Sequence, residues 1–217
     1  MTDALIADLE HSIIFGAYGP GSRITEDRIM ERHGAKRHAV RAAFAQLEGR
    51  GLLVRRQNRG VEVVDFTPDE VDQLYDVRIV LETAAAERTA LPCAPAVSDA
   101  LGRIARQHEA AVEARDFRAV YELNLEFHQV QYACCGNPML VDLIERHSRI
   151  AQPIRVVKYE DRDHMRTVVA QHFAIIAALR GTSVGEYVRA TEAHLPASAA
   201  AYRTLYESRF GKRAASA

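Results

Sequence analysis

The stretch HGAKRHAVRAAFAQLEGRGLLVRRQNRGVEV, residues 33 to 63, restricts what this chain can fold into more than any other segment. Val40, Ala43, Phe44 and Leu47 stand at i, i+3, i+4 and i+7, so a helix over about 36 to 49 presents one apolar stripe to a core. Gly49 and Gly51 bracket its end. Residues 52 to 56 and 61 to 64 then form two short β-prone runs around Gln57-Asn58-Arg59-Gly60, where Asn and Gly tolerate the positive φ of a hairpin turn. Upstream, Leu5, Ile6, Leu9, Ile13 and Ile14 give a first helix over about 4 to 16, broken by GAYGPGS. Thr25 is placed to cap a short second helix over about 26 to 33, with Glu26 and Asp27 at its positive end and Gly34 closing it. Helix, helix, turn, helix, hairpin is the order of a winged helix-turn-helix, expected over residues 1–66.

After Asp65 the pattern becomes helical with almost no β signal. Thr67-Pro68-Asp69-Glu70 reads as a cap with proline in the first turn, opening a helix to about residue 90. Further helices are expected at about 96 to 114, 116 to 135, 138 to 158, 162 to 180 and 183 to 208. The fold class is therefore mainly α: a winged helix-turn-helix followed, over residues 67–217, by an all-α antiparallel six-helix bundle. Cys93, Cys134 and Cys135 lack the CxxC spacing of zinc or redox sites and suit a reducing compartment. Cys134-Cys135 reads as helix-end packing, with a redox switch as the other option. No window is apolar enough for a membrane helix, and the amino terminus has acids where a signal peptide would be basic, so a cytoplasmic location is expected.

Charge separates the two halves. Residues 28 to 59 hold nine Lys or Arg against two acids, whereas the rest of the chain has 19 basic and 27 acidic residues. Only one end is built to meet a polyanion. Arg37 and Arg41 are four apart on the third helix, beside the stripe that docks it. That placement suits a recognition helix in the major groove, with guanidinium groups reading guanine and Lys36, His38 and the helix start at phosphate. Arg55, Arg56, Asn58, Arg59 and Gly60 would form the wing, adding phosphate or minor-groove contacts.

These residues also carry a resemblance. The run PGSRITEDRIMERHGAKRHAVRAAFAQLEGRGLLVRRQNRGVEV resembles the winged-helix domain of the GntR family of bacterial transcription regulators, through Pro20-Gly21, Ile24, Glu26, Gly34, Arg37, Val40-Arg41, Leu47-Glu48, Gly51-Leu52 and Asn58-Arg59-Gly60. Lys36 stands where that family usually has Ser, and Ala42 where it usually has Glu. The first adds a cation at the helix start; the second removes an acid beside Arg41.

Polar residues interrupt the apolar stripes of the bundle. Asn124 and His128 fall four apart within the stripe of Phe117, Val120, Tyr121, Phe127 and Val130; His172 sits among Met165, Val168, Val169, Ile175, Ile176 and Leu179; His194 sits among Val184, Tyr187, Val188, Leu195 and Tyr202. Left unpaired in a core, each would cost about 1 to 3 kcal/mol. Three imidazoles and an amide oxygen converging between helices could instead hold a divalent metal. The ELNLEFHQVQYACCGNPML stretch with His172 and His194 looks like the FCD effector-binding domain of the FadR-type GntR subfamily, and LYDVRIVLETAAAERTA resembles its opening helix. That resemblance implies Asn124, His128, His172 and His194 as ligands, with Asn124 in place of the commoner Asp. It also implies a homodimeric regulator, most often a repressor, that binds double-stranded operator DNA and senses a small carboxylate effector. Without the aspartate the bound ion keeps about two positive charges, so a carboxylate could complete both its coordination and its charge balance. Arg78 and Arg149 are candidate effector partners because guanidinium pairs bidentately with carboxylate. Zinc is favoured by three imidazoles, with nickel and manganese left open.

A metal-dependent enzyme with a basic RNA- or partner-binding segment is the other reading. It is disfavoured because no HExxH, phosphate loop or inward general base accompanies the histidines, so no catalytic residue is assigned.

Overall fold

The computed structural model describes residues 2–56, 60–195, 198–200, 202–204 and 206–207. Helix α1 (Thr2–Ile14) is followed by β1 (Arg23–Ile24), α2 (Glu26–His33), α3 (Arg37–Gly49), β2 (Leu53–Arg56) and β3 (Gly60–Val63). The strands form an antiparallel sheet in the order β1-β3-β2, with Leu53 opposite Val63 and Arg55 opposite Val61. The two-residue β1 carries too short a pattern to be read from sequence and pairs Ile24 with Val61. Thr25 caps α2 by accepting from the Arg28 amide, and Gly34 ends it at φ 60°. Leu9, Ile29, Val40, Phe44, Leu47 and Leu52 meet in one buried cluster, so the expected stripe is what fixes α3 against the other helices. The turn expected at Asn58 and Arg59 lies outside the described residues.

The rest is helical: α4 (Pro68–Arg88), α5 (Pro95–Ala114), α6 (Phe117–Ala133), α7 (Pro138–Ile150), α8 (Gln152–Arg155), a 3-10 turn (Val156–Lys158), α9 (Arg162–Arg180) and α10 (Val184–Ala193). Thr67 and Glu70 cap α4 reciprocally, as its sequence suggests. Phe127, Ile175, Ile176, Leu179 and Tyr187 pack with Leu101 and Ile104 at the centre of the bundle.

Two of the expected helices are broken. The helix expected over 138 to 158 stops at Ile150, because the ring of Pro153 cannot fit over the carbonyl of Arg149 four residues earlier; the chain restarts as α8. The helix expected over 183 to 208 stops at Ala193, since a proline at position 196 disfavours helical backbone just before it, and helix resumes at 198. Both breaks matter for the site. The first turns Gln152 and Arg155 into the interior, and the second leaves His194 as the cap of α10.

The winged half is seated on the bundle through α1. Ile14 is buried with Val120, Tyr121 and Met165, and the rings of His11 and Phe15 contact Tyr121 with centroids 5.9 and 6.1 Å apart. Gly51, at φ 74°, approaches Ile150 so closely that a Cβ there would lie 2.7 Å from its Cγ1.

Candidate functional site

Lys36, Arg37, His38 and Arg41 are all exposed at the start of α3, whose stripe Val40, Phe44 and Leu47 is fully buried behind them. Lys36 occupies the cap position of α3 without forming a side-chain cap. The first amides of the helix are therefore open to an anion, in a place where the helix dipole favours one. The arginines are held by acids from a neighbouring helix. Glu26 on α2 accepts from Arg37 at 3.2 Å and from Arg41 at 2.8 Å, and Asp27 accepts from Arg37 at 2.8 Å. Arg55 pairs with Glu48 at 3.0 Å and Arg56 lies 3.8 Å from Glu62. Such exposed pairs are worth only about 0 to 1 kcal/mol, so they orient the guanidinium groups without preventing transfer to phosphate or base. Gly60 opens β3 and is exposed.

In the bundle, His128 on α6, His172 on α9 and His194 beyond α10 each offer a ring nitrogen, all within 4.8 Å of one another. His128 and His172 are buried, His194 partly so. His172 stacks on Phe127, with centroids 4.1 Å apart, and neither of its ring nitrogens has a hydrogen-bond partner. Burial, reinforced by the neighbouring imidazoles and Arg155, pushes all three well below the usual histidine range. They are neutral, as a metal requires of its ligands.

Two glutamines, unsuspected from sequence, fix the tautomers. Gln171 donates its amide to the Ala193 carbonyl at 2.9 Å, so its oxygen faces His194 Nδ1 at 3.0 Å, and that nitrogen must be the donor. Gln131 likewise donates to Thr191 and turns its oxygen to His128 Nδ1 at 2.9 Å. The lone pairs of both Nε2 atoms then face each other across 3.1 Å. Neutral rings in these tautomers repel at that distance unless a positive charge lies between them. Two nitrogens bound to one ion at about 2.0 to 2.1 Å stand roughly 3.3 Å apart in tetrahedral geometry. The donor set thus fits a divalent cation, with Gln131 and Gln171 in the orienting role that outer hydrogen bonds play at metal-bound histidines.

Asn124, one turn before His128, is buried and lines a small cavity with His108, Arg155, His164 and His194. His108 on α5 is fully buried, its ring 4.9 Å from that of His172, and both of its nitrogens are unpaired. It falls in the stripe of Leu101, Ile104 and Ala105, so the test that singled out the other histidines also finds it. Arg78 is buried but committed to Glu82 at 2.9 Å, and Glu82 also accepts from the Tyr132 hydroxyl. Arg149 is half exposed, paired with Glu145 at 2.8 Å, and lines a separate groove of about 150 Å³ with His128, Tyr132 and Ser148. Each of these arginines has a paired carboxylate, whereas among the described residues Arg155 has none within ion-pair distance.

Residues 73–197 match the family model of the FCD domain, and residues 1–63 match that of bacterial regulatory proteins of the gntR family. Similar proteins include the HTH-type transcriptional regulator YdhC of Bacillus subtilis, 27% identical over 79% of this chain and 77% of the relative, and the HTH-type transcriptional repressor RspR of Escherichia coli, 25% identical over 86% and 82%. Among solved structures, Escherichia coli McbR/YncC superposes with a TM-score of 0.79 at 21% identity, over 94% of this chain and 98% of that one. A GntR regulator from Rhodococcus sp. RHA1 gives 0.76 at 21% identity, over 93% and 96%. At that identity the likeness is one of fold.

Burial places the His108 imidazole at about 4, against an ordinary 6.5. Because the folded value is the lower one, its contribution to stability is full above 6.5 and is lost as pH falls toward 4, where the unfolded chain takes up a proton that the fold refuses. Metal-free protein should therefore melt at progressively lower temperature across that range, and the slope should be shallower in His108→Gln by up to about 1.4 kcal/mol per pH unit. Identical slopes in calorimetric melts of the two proteins would contradict the assignment.

Proposed function

This chain belongs to the FCD-domain family, joined to a DNA-binding domain of the gntR family, and from that premise we propose a metal-assisted sensor of a small carboxylate that controls operator binding. It is a ligand-responsive DNA-binding regulator of the GntR/FCD type, and that family supports a non-enzymatic role. Our finer reading is a FadR-type repressor working in the cytoplasm, with the division between its domains at residues 66 and 67. None of the described helices is long and apolar enough to cross a membrane.

The observation that carries the sensor is the pair of Nε2 atoms of His128 and His194, aimed at one another by two glutamines. Asn124, His128, His172 and His194 would hold the ion, zinc in our reading, which when bound supplies a Lewis-acidic charge able to take a carboxylate. Lys36, Arg37, His38, Arg41, Arg55, Arg56 and Gly60, with Asn58 and Arg59, would meet the operator. Coupling runs along α6: Tyr121, which receives the rings of His11 and Phe15 from α1, lies one turn before Asn124. A small shift of α6 would then tilt the winged half. This seat on α1 adds a second route to the covalent junction at 65 to 68, and between them they would alter the spacing of two half-site readers.

The homodimer that such spacing requires would use α4 and α7, which pack together and leave Val77, Val80, Leu143 and Met139 exposed, Met139 by 79%. Light scattering should give twice the chain mass for the wild type and one chain mass for Val80→Glu; a variant that stays dimeric puts the interface elsewhere.

Gel-shift titrations with an operator fragment should show binding lost in Arg37→Ala/Arg41→Ala, with metal content unchanged. Carboxylate should release the wild-type complex, and EDTA should abolish that response. Operator affinity indifferent to every acid and to EDTA would remove the sensor, while turnover surviving in the double variant would favour the enzyme reading.

A further inference from the structure

Arg155 is the unexplained charge of the bundle. It is buried, with 9% of the residue exposed; its Nη1 has no hydrogen-bond partner, and no carboxylate pairs with it among the described residues. The Pro153 break that ends α7 turns it inward on α8, where it lines the same cavity as Asn124, His108 and His194. Burial first and then the neighbouring Arg78 lower its pKa, while Tyr75, Glu82 and Tyr159 act in the opposite direction from a distance; the direct partners of Glu82 are Arg78 and Tyr132, so Arg155 has no carboxylate of its own. Retaining an unpaired buried cation destabilises a folded protein, whereas an apolar side chain of similar volume is often as stable or more so. A group kept at that cost is expected to meet an anion.

The charge count says which anion. A divalent ion on three neutral imidazoles and a neutral amide keeps two positive charges, and Arg155 adds a third a short way across the cavity. A monocarboxylate on the ion would leave Arg155 unanswered. We propose that Arg155 forms a second anion subsite facing the metal position, with the His108 ring beside it, so that the effector is a short dicarboxylate bridging the ion and the guanidinium. The cavity holds about 30 Å³, enough for one or two waters, so the ligand is compact and the side chains around it yield on binding. Arg155 is thereby the residue that sets specificity, in place of the charge-paired Arg78 and Arg149. Asn124 has a matching part: an aspartate there would cancel one of the positive charges that a dianion answers.

This proposal rests on the metal reading above, and the test separates them. Zinc-loaded wild-type protein is titrated by calorimetry with oxalate, malonate, succinate and acetate, with zinc alone titrated into the metal-free protein as the reference. One dicarboxylate should bind about 10- to 100-fold more tightly than acetate, the range expected for a charge-assisted hydrogen-bonded pair. In Arg155→Met that preference should vanish while zinc affinity stays as in wild type, and Arg155→Lys should keep only part of it. The metal-free Met variant should melt no lower than wild type, because it loses an unpaired charge. Equal affinities for acetate and the dicarboxylates, or a preference that survives in Arg155→Met, would overturn the subsite while zinc binding stands. Failure of zinc to bind wild type would overturn the metal reading, and this inference with it.

Discussion

Two imidazole nitrogens face each other across 3.1 Å in the middle of the bundle, and the structure around them is arranged to keep them there. Each ring is held from behind by a glutamine oxygen, and each glutamine is held by its own amide: one by a backbone carbonyl, the other by a threonine hydroxyl. Rotation of the His128 ring would break a buried hydrogen bond, at a cost of about 1 to 3 kcal/mol, and rotation of the His194 ring would break a partly buried one. The lone pairs are thus fixed toward a common point before any ion arrives. His172 completes the arrangement from α9, locked by its stack on Phe127. Helices α6 and α9 and the end of α10 must stay in register for this to hold, and the apolar cluster of Phe127, Ile175, Ile176, Leu179 and Tyr187 enforces that register.

The same helix that carries His128 also carries the seat of the winged half. Tyr121 and Asn124 are three residues apart on α6, so they share a face, and Ile14 and Phe15 rest against the former. The candidate metal centre and the seat of the winged half are therefore joined by less than two turns of one helix. At the other end, Glu26 organises Arg37 and Arg41 from α2, so the two helices of the DNA-reading motif present a single preset surface. The family's glutamate after Arg41 is an alanine here, yet Glu26 supplies an acid to that arginine from across the turn.

Much of this was legible in residue order. The stripe of α3, the cap at Thr67 and the inward positions of Asn124, His128 and His172 follow from periodicity alone, because helical spacing decides which face a residue shares. The groups that hold the imidazoles from behind were not legible. Gln131 and Gln171 are ordinary polar residues on helices, and only the folded backbone brings Ala193 and Thr191 within their reach. Arg155 was hidden for a different reason: a continuous helix over 138 to 158 gives it no particular direction, and the proline break that turns it inward acts through backbone sterics rather than side-chain pattern. The arginines of α3 are exposed beside its buried stripe, as helical spacing implies, but their pairing with Glu26 and Asp27 depends on the angle between two helices, which spacing in sequence does not encode.

The central claim, that neutral imidazoles with glutamine-fixed tautomers form a metal-binding centre, is tested most directly by X-ray absorption at the zinc edge on the reconstituted protein. The account predicts one zinc per chain with a shell of light atoms at about 2.0 to 2.1 Å and the multiple-scattering pattern of three imidazoles, reduced to two in His172→Ala. Sulfur ligation, or a shell without imidazole scattering that is unchanged in that variant, would contradict it.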